Sequence, residues 1–353
     1  MDRATKMRRT DPAPRRACIP RGGLYTLGMK IVSSVALGTL EPPKIFTAEE
    51  LEAWNKPSVI RLICDLLGPW AQIAVSLVLV AAWNHPVAWI IAFLLIGGAQ
   101  HALGLITHEC GHRLIFPENR RLNDFLGTWI YGGASALPFR FYVDRHWDHH
   151  KLVSTEDDTK KLYRRNFSHW NIVKEILLGV SGYDYFYQVS SVLFRHKNEL
   201  DQNDKKPTYV AEFAAVIFVQ FAIFILFLAL WGFWQYVFLW LLPLVTVASL
   251  FAKLRSAVEH QPLPSEYGHG NYLFGTELPV YRTVRARWYE RLFLCRINFC
   301  YHIEHHLWPK VSYQKLPKVH ERLFKHKNLP EPPGYFGVLK ELWLQKGISS
   351  RRS

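Results

Sequence analysis

Four stretches of this chain are long, apolar and free of Asp, Glu, Lys and Arg. They run from Leu66 to Trp83, Val87 to Thr107, Phe213 to Trp231 and Phe233 to Ala252, which is 18, 21, 19 and 20 residues. As a helix, each is long enough to cross about 30 Å of hydrocarbon. Backbone in lipid must satisfy its own hydrogen bonds, so only helices and closed barrels cross a bilayer. Runs of this length select helices. The sequence therefore predicts an all-α integral membrane protein with four transmembrane helices. A length of 353 residues alone would suggest two domains. The spans override that prior and imply one membrane domain over 61–306. A basic N-terminal tail and pre-membrane segment (1–60) precedes it, and a C-terminal interfacial or cytoplasmic segment (307–353) follows.

The spans pair into two hairpins, joined through Trp83 to Pro86 and through Trp231 and Gly232. Tryptophan suits the membrane–water boundary. All 43 Lys and Arg lie outside the hairpins, so the positive-inside rule predicts that the three remaining segments face the cytoplasm, at a bacterial inner membrane or the endoplasmic reticulum. The stretch from Phe125 to Val143 contains Pro138 and Arg140 and reads as re-entrant or interfacial rather than as a fifth crossing. The net charge of +14 serves topology and attraction to anionic headgroups; a nucleic-acid partner is not expected. The segment before Lys30 lacks the apolar core of a secretory signal. It reads as a disordered basic tail, a weak organelle-targeting segment, or an extension ahead of a start at Met29.

Histidine supplies the chemistry. Eight of the 16 histidines fall into three clusters: His108 and His112; His146, His149 and His150; His302, His305 and His306. Spacings of i, i+3 and i+4 place side chains on one helix face, and imidazole is the commonest side-chain metal ligand. Eight ligands exceed the four that one zinc takes, so the pattern points to two metal ions. With four crossings, all three clusters emerge on one side. A ligating imidazole needs an acceptor on its other ring nitrogen. Glu109, Asp148, Glu259 and Glu304 adjoin clustered histidines or His260, and Asp157 and Asp158 follow the second cluster. His101, seven residues before His108, shares its face and reads as a hydrogen-bonded intramembrane residue, with a supporting residue or a tenth ligand as the alternative. His85 sits in the far hairpin turn. His169, His196, His269, His320 and His326 have no partner at ligand spacing and read as surface residues. Of the five cysteines, none forms a C-x-x-C pair, and reduced structural thiols are expected. With no iron–sulfur spacing and no dinucleotide-binding glycine motif, electrons must come from a separate protein.

The spacings resemble those of the membrane fatty-acid desaturase and hydroxylase superfamily. H-x-x-x-H follows the second span, H-x-x-H-H comes about 35 residues later, and H-x-x-H-H follows the fourth span. The run from Asn298 to Pro309 looks like the third histidine box of lipid desaturases, and the likeness covers roughly Leu66 to Leu323. It implies a helical cap with a di-iron site holding two iron ions (Fe2+/Fe3+). The motif Arg255 to His260 stands where such proteins carry a further ligand, which implies His260 as the ninth. Ser256 stands where some members have an asparagine acting through water. The resemblance further implies activation of O2 and a lipid substrate with a long apolar chain. It implies an external electron donor of cytochrome b5 or ferredoxin type. The expected reaction is a double bond introduced into a fatty-acyl chain. The alternative is a hydroxylase or ketolase acting on a carotenoid, a sphingolipid or another apolar lipid. A non-catalytic metal carrier is the remaining reading, and a transporter would need polar groups in its spans, where His101 and Gln220 are among the few. The aromatic segment 167–193 reads as an ordinary packing helix or an interfacial helix beside the substrate entrance, and the basic and apolar residues after Pro309 suggest a helix lying on the membrane.

Overall fold

The computed structural model describes residues 44–153, 158–160, 165, 167–190, 209–261, 282–327 and 331–344. Among them there are helices and no strands. Asp157, Cys18, His196, His269 and the basic segment before Lys30 lie outside the described residues.

Helix α1 (Ala48–Asn55) is capped by Thr47 and precedes the first hairpin. That hairpin is α2 (Val59–Ala82) and α3 (Pro86–Gly111). Pro86 opens α3 at its first position, where its missing N–H costs nothing, and the His85 ring accepts a bond from the Val87 amide. The short helix α4 (Arg120–Phe125) continues into a π-helical turn at Leu126–Gly132. Helix α5 (Phe139–Leu152) follows, then α6 (Trp170–Val180). The second hairpin is α7 (Val210–Leu230) and α8 (Phe233–His260). Gly232, at φ +114°, makes the reversal between them, a conformation open to glycine. Four further α-helices follow among the described residues: α9 (Trp288–Phe293), α10 (His302–Leu307), α11 (Leu316–Lys327) and α12 (Tyr335–Leu344).

Among the described residues four helices, α2, α3, α7 and α8, are long and apolar enough to cross a membrane, with 24, 26, 21 and 28 residues. They run past the charge-free stretches of the sequence. At about 1.5 Å per residue α3 is roughly 39 Å long, so its last turns project beyond about 30 Å of hydrocarbon. His108 and His112 sit on that projection. Charges at the helix ends are tolerated because partners from elsewhere in the chain meet them. Asp65 of α2 accepts from the Tyr313 hydroxyl at 3.0 Å. Lys253 of α8, fully buried, meets Glu175 and Asp184 at 2.5 Å each, and Arg165 joins the same two carboxylates. Buried ions persist when they are paired in this way.

Helix α3 is the central one. Small residues let it approach α8: a Cβ on Gly97 would lie 2.4 Å from Val247, as befits close packing of helices in lipid. Polar side chains tie the spans through backbone carbonyls. Gln100 donates to the Trp240 carbonyl at 2.9 Å, and the Trp240 indole donates to Gln220 at 3.0 Å. Gln220 in turn donates to the carbonyls of Gly133 and Ala134. Those two residues belong to the turn after α4. The α4 and π segment together measure about 20 Å, too short to cross. The chain then turns at 133–138, which brings Phe139 against Gly127, and continues as α5, so the stretch read from sequence as re-entrant or interfacial is not one continuous helix.

The third histidine cluster is aimed by a turn in an unusual conformation. Ile297 and Asn298 both have positive φ, +54° and +56°, which is strained for a β-branched residue. Asn298 holds the turn by donating to the Tyr313 carbonyl and accepting from Arg291. Residues 308–324 share the main core with the spans through Trp308, Tyr313, Leu316 and Val319. Ser312 donates to the Trp54 carbonyl, joining this segment to α1.

Candidate metal centre

Nine imidazoles converge at the ends of the spans. The last turn of α3 and its cap contribute His108 and His112, and α5 contributes His146, His149 and His150. His260 closes α8, and α10 contributes His302, His305 and His306. They form two groups: His108, His112, His146, His150 and His305 in one, and His149, His260, His302 and His306 in the other. Within each group the candidate ligand atoms lie within 4.8 Å of one another. The groups meet where the rings of His150 and His306 stand 4.3 Å apart.

The nitrogens face inward. In the first group Nε2 of His146 lies 2.8 Å from that of His112 and 3.0 Å from that of His150, which lies 3.1 Å from that of His305. In the second, Nε2 of His302 lies 2.8 Å from that of His260 and 3.1 Å from that of His306. His108 Nε2 is buried without a hydrogen-bond partner. Donors at right angles about an ion roughly 2.1 Å away stand about 3.0 Å apart, whereas tetrahedral donors stand about 3.4 Å apart. The spacing and the five-membered group suit ions that accept more than four ligands. All donors are neutral nitrogens, and the site fits two metal ions.

Acidic side chains engage the outer ring nitrogens. His108 Nδ1 lies 3.1 Å from Glu109, and His149 Nδ1 lies 2.9 and 3.1 Å from the two oxygens of Asp158. His302 Nδ1 stands 3.5 Å from Glu259. Glu259 also accepts from Arg255 and from the Tyr335 hydroxyl at 3.3 Å. Such contacts fix the tautomer and aim the other nitrogen inward. Three sequence expectations, for Asp148, Glu304 and His320, need correction. Asp148 is exposed, on the side of α5 away from the buried His149. Glu304 is fully buried, but its partners are His320, at 2.6 Å, and the Thr283 hydroxyl. His320 is therefore no surface residue: its ring also lies 3.8 Å from that of Phe324. His101 belongs to neither group and is hydrogen-bonded within the spans, its Nδ1 2.9 Å from the Phe293 carbonyl, so the tenth-ligand alternative falls. That carbonyl belongs to α9, which packs against α3 at Gly98.

A family model described as fatty acid desaturase matches residues 84–337. The chain belongs to the fatty acid desaturase family. A beta-carotene ketolase of Paracoccus sp. (strain N81106 / MBIC 01143) is 25% identical over 258 residues, covering 72% of this chain and 88% of that protein. An sn-1 oleoyl-lipid 12-desaturase of Anabaena variabilis is 26% identical over 215 residues, covering 57% of this chain and 56% of its own length.

In this fatty acid desaturase family member the clustered rings are held neutral. Burial first, then neighbouring rings and Lys160, keep His146, His150, His305 and His306 well below the ordinary imidazole value. For His149 burial is followed by Lys160, and for His302 by His306. His112 is taken down to about 3, by burial and then by Lys160. Neutral imidazole keeps the lone pair that a metal needs. Burial, and after it Arg255, pulls the Lys160 ammonium down to about 8.

Sequence reading missed Tyr335, Thr283, Lys160 and the part played by Arg255. The i, i+4 spacing of Arg255 and Glu259 was a usable signal. Tyr335 lies 76 residues from Glu259, beyond the reach of local pattern. Phe299, one of the residues before the third cluster, packs against His108 at 4.6 Å and beneath the Arg255 guanidinium at 4.3 Å.

Proposed function

We propose that this chain is an O2-dependent membrane oxidoreductase that uses two iron ions to oxidise an unactivated C–H bond of a long apolar lipid. The first reading is a double bond introduced into a fatty-acyl chain. The observation that carries the proposal is the gathering of five and four imidazoles at the ends of the spans. His108, His112, His146, His150 and His305 would hold one ion, and His149, His260, His302 and His306 the other. Bound there, the irons would supply the oxidising power of O2, which no side chain has.

The chain's own residues do the rest. Glu109 and Asp158 accept a proton-bearing Nδ1, so that His108 and His149 offer Nε2 to the interior, and the Glu259 carboxylate faces His302 Nδ1 at 3.5 Å. Phe299 and Trp147 pack against the first group and limit water there. The spans bring an apolar substrate to the same level. Electrons would come from a separate donor of cytochrome b5 or ferredoxin type, and the histidines would face the cytoplasm. The balance is simple: one O2, two electrons and two protons remove two hydrogens from adjacent carbons and leave two waters. Hydroxylation with the same inputs leaves one oxygen atom in the product and one in water.

A second reading, a ketolase or hydroxylase, is favoured by the alignment with the carotene ketolase along 88% of that protein. Expression in hosts that make oleoyl lipids and in hosts that make β-carotene, followed by mass spectrometry of lipids and pigments, separates the two. Acyl chains lighter by two hydrogens support the first reading. Oxygenated pigment with unchanged acyl chains replaces it by the second.

A further inference from the structure

The histidine face of α3 runs on past the metal centre. His108, Gly104, His101 and Gly97 follow one another on that face at spacings of three and four residues. From Ile96 to His112 every residue is buried except Gly104, which keeps partial exposure. A Cβ on Gly104 would meet one atom within 4 Å, Leu137 Cδ1 at 3.5 Å. One turn further the helix is packed tight. A Cβ on Gly97 would lie 2.4 Å from Val247, and one on Gly98 would lie 2.8 Å from the Phe293 ring. The open stretch of this face therefore begins beside His108 and ends at His101.

His101 is only 6% exposed. A carbonyl accepts and never donates, so the His101 Nδ1 carries the proton and donates to the Phe293 carbonyl at 2.9 Å. In the neutral ring Nε2 is then an acceptor. It is buried and has no hydrogen-bond partner among the described residues. A buried acceptor left unpaired is costly, and the bond at Nδ1 fixes the ring that carries it. Seven residues separate His101 from His108, about 10 Å along the helix axis. We propose that His101 Nε2 accepts a hydrogen bond from an uncharged hydroxyl of the lipid substrate, carried about 10 Å from the carbon that is oxidised. The proposal rests on the oxidising di-iron reading above and names a feature of its substrate. A hydroxyl suits the site because Nε2 offers a lone pair; a carboxylate or phosphate brings only further acceptors. A lipid without the hydroxyl would leave Nε2 unpaired and bind more weakly. A hydroxyl on the acyl chain and one on a glycerol head present the same donor.

Competitive lipid retention tests this without turnover. The detergent-purified, iron-loaded full chain is equilibrated with equal amounts of a hydroxylated lipid and its hydroxyl-free partner, and the retained lipid is quantified by mass spectrometry. One arm pairs ricinoleoyl with oleoyl phosphatidylcholine, which places the hydroxyl on the chain. The other pairs dioleoylglycerol with its acetylated form, which places it at the head. The parent should retain the hydroxylated member about tenfold over its partner in at least one arm, and that arm identifies the source. His101→Asn keeps an N–H donor for the Phe293 carbonyl but has no acceptor at the Nε2 position, and it should lose the preference. His101→Gln, whose amide oxygen reaches that position, should keep it within a few-fold. His101→Phe replaces His101→Asn if that variant fails to fold. Equal retention by the parent in both arms overturns the proposal alone, as does an unchanged preference in the variant that lacks the acceptor. A parent chain that holds no iron overturns the di-iron reading and this proposal together.

Discussion

Whether a side chain near the centre matters depends on where it points, and two aspartates ten residues apart illustrate this. Asp158 is fully buried and grips His149 Nδ1 with both oxygens, whereas Asp148 adjoins the same histidine in sequence and faces out. Removing the acceptor of a ligating imidazole typically costs about 10- to 100-fold in metal affinity. Asp158→Asn should therefore release iron from the His149 group at correspondingly lower chelator concentrations, and Asp148→Asn should not. Iron per chain after dialysis against graded chelator is the measurement, and equal retention in the two variants would contradict the assignment. His149→Ala and His305→Ala, which remove proposed ligands from different groups, should each abolish activity and lower bound iron while the protein still inserts in membranes. The histidines were legible because helical spacing concentrates them within a few residues. Their supports were legible only in part. Adjacency in sequence finds Glu109 and Glu259, but it finds Asp148 and Glu304 equally, because a neighbour on a helix points about 100° away, and Asp158 was marked only as following the second cluster.

At the scale of elements, the four spans were legible because lipid excludes charge over a length that a sequence displays directly. Their ends were not. Lys253 and Arg255 looked like the close of the fourth span, yet α8 runs on to His260, because Glu175, Asp184 and Glu259 neutralise those charges. Close packing of α3 was also invisible, since it depends on what faces each glycine. Gly97 has Val247 at 2.4 Å from a built Cβ, while Gly104 has its nearest neighbour, Leu137, at 3.5 Å. Gly97→Ala must push the β-carbon of a branched residue on α8, and overpacking of this kind typically costs about 1–3 kcal/mol. Gly104→Ala meets an ordinary contact and gains helix propensity of up to about 1 kcal/mol. The thermal midpoint in detergent should fall for the first variant and hold or rise for the second. A Gly97→Ala protein as stable as the parent would mean that α3 and α8 are not in van der Waals contact there.

The whole molecule closes around the centre from both ends of the sequence. The second histidine group takes His149 from the first half and His260, His302 and His306 from the second, so it can form only when the halves are packed. The C-terminal helix takes part in this closure. Tyr335, Val338 and Leu342 of α12 are buried against Ala257, Val258, Cys295 and Cys300, and Tyr335 reaches Glu259, which faces His302. The first group also takes His305 from the second half, but its support does not run through α12, since Glu109 backs His108 from the adjoining position on α3. Loss of the α12 contact should therefore act on one group and spare the other. Tyr335→Phe removes the hydroxyl and keeps the ring in its core. It should lower iron retention in the His302 group several-fold, while deletion of 331–353 should bring iron per chain from two toward one. Iron content and optical spectra of the two proteins, compared with His305→Ala as a variant of the other group, provide the measurement. Two firmly held irons in both would show that α12 packs beside the centre without supporting it.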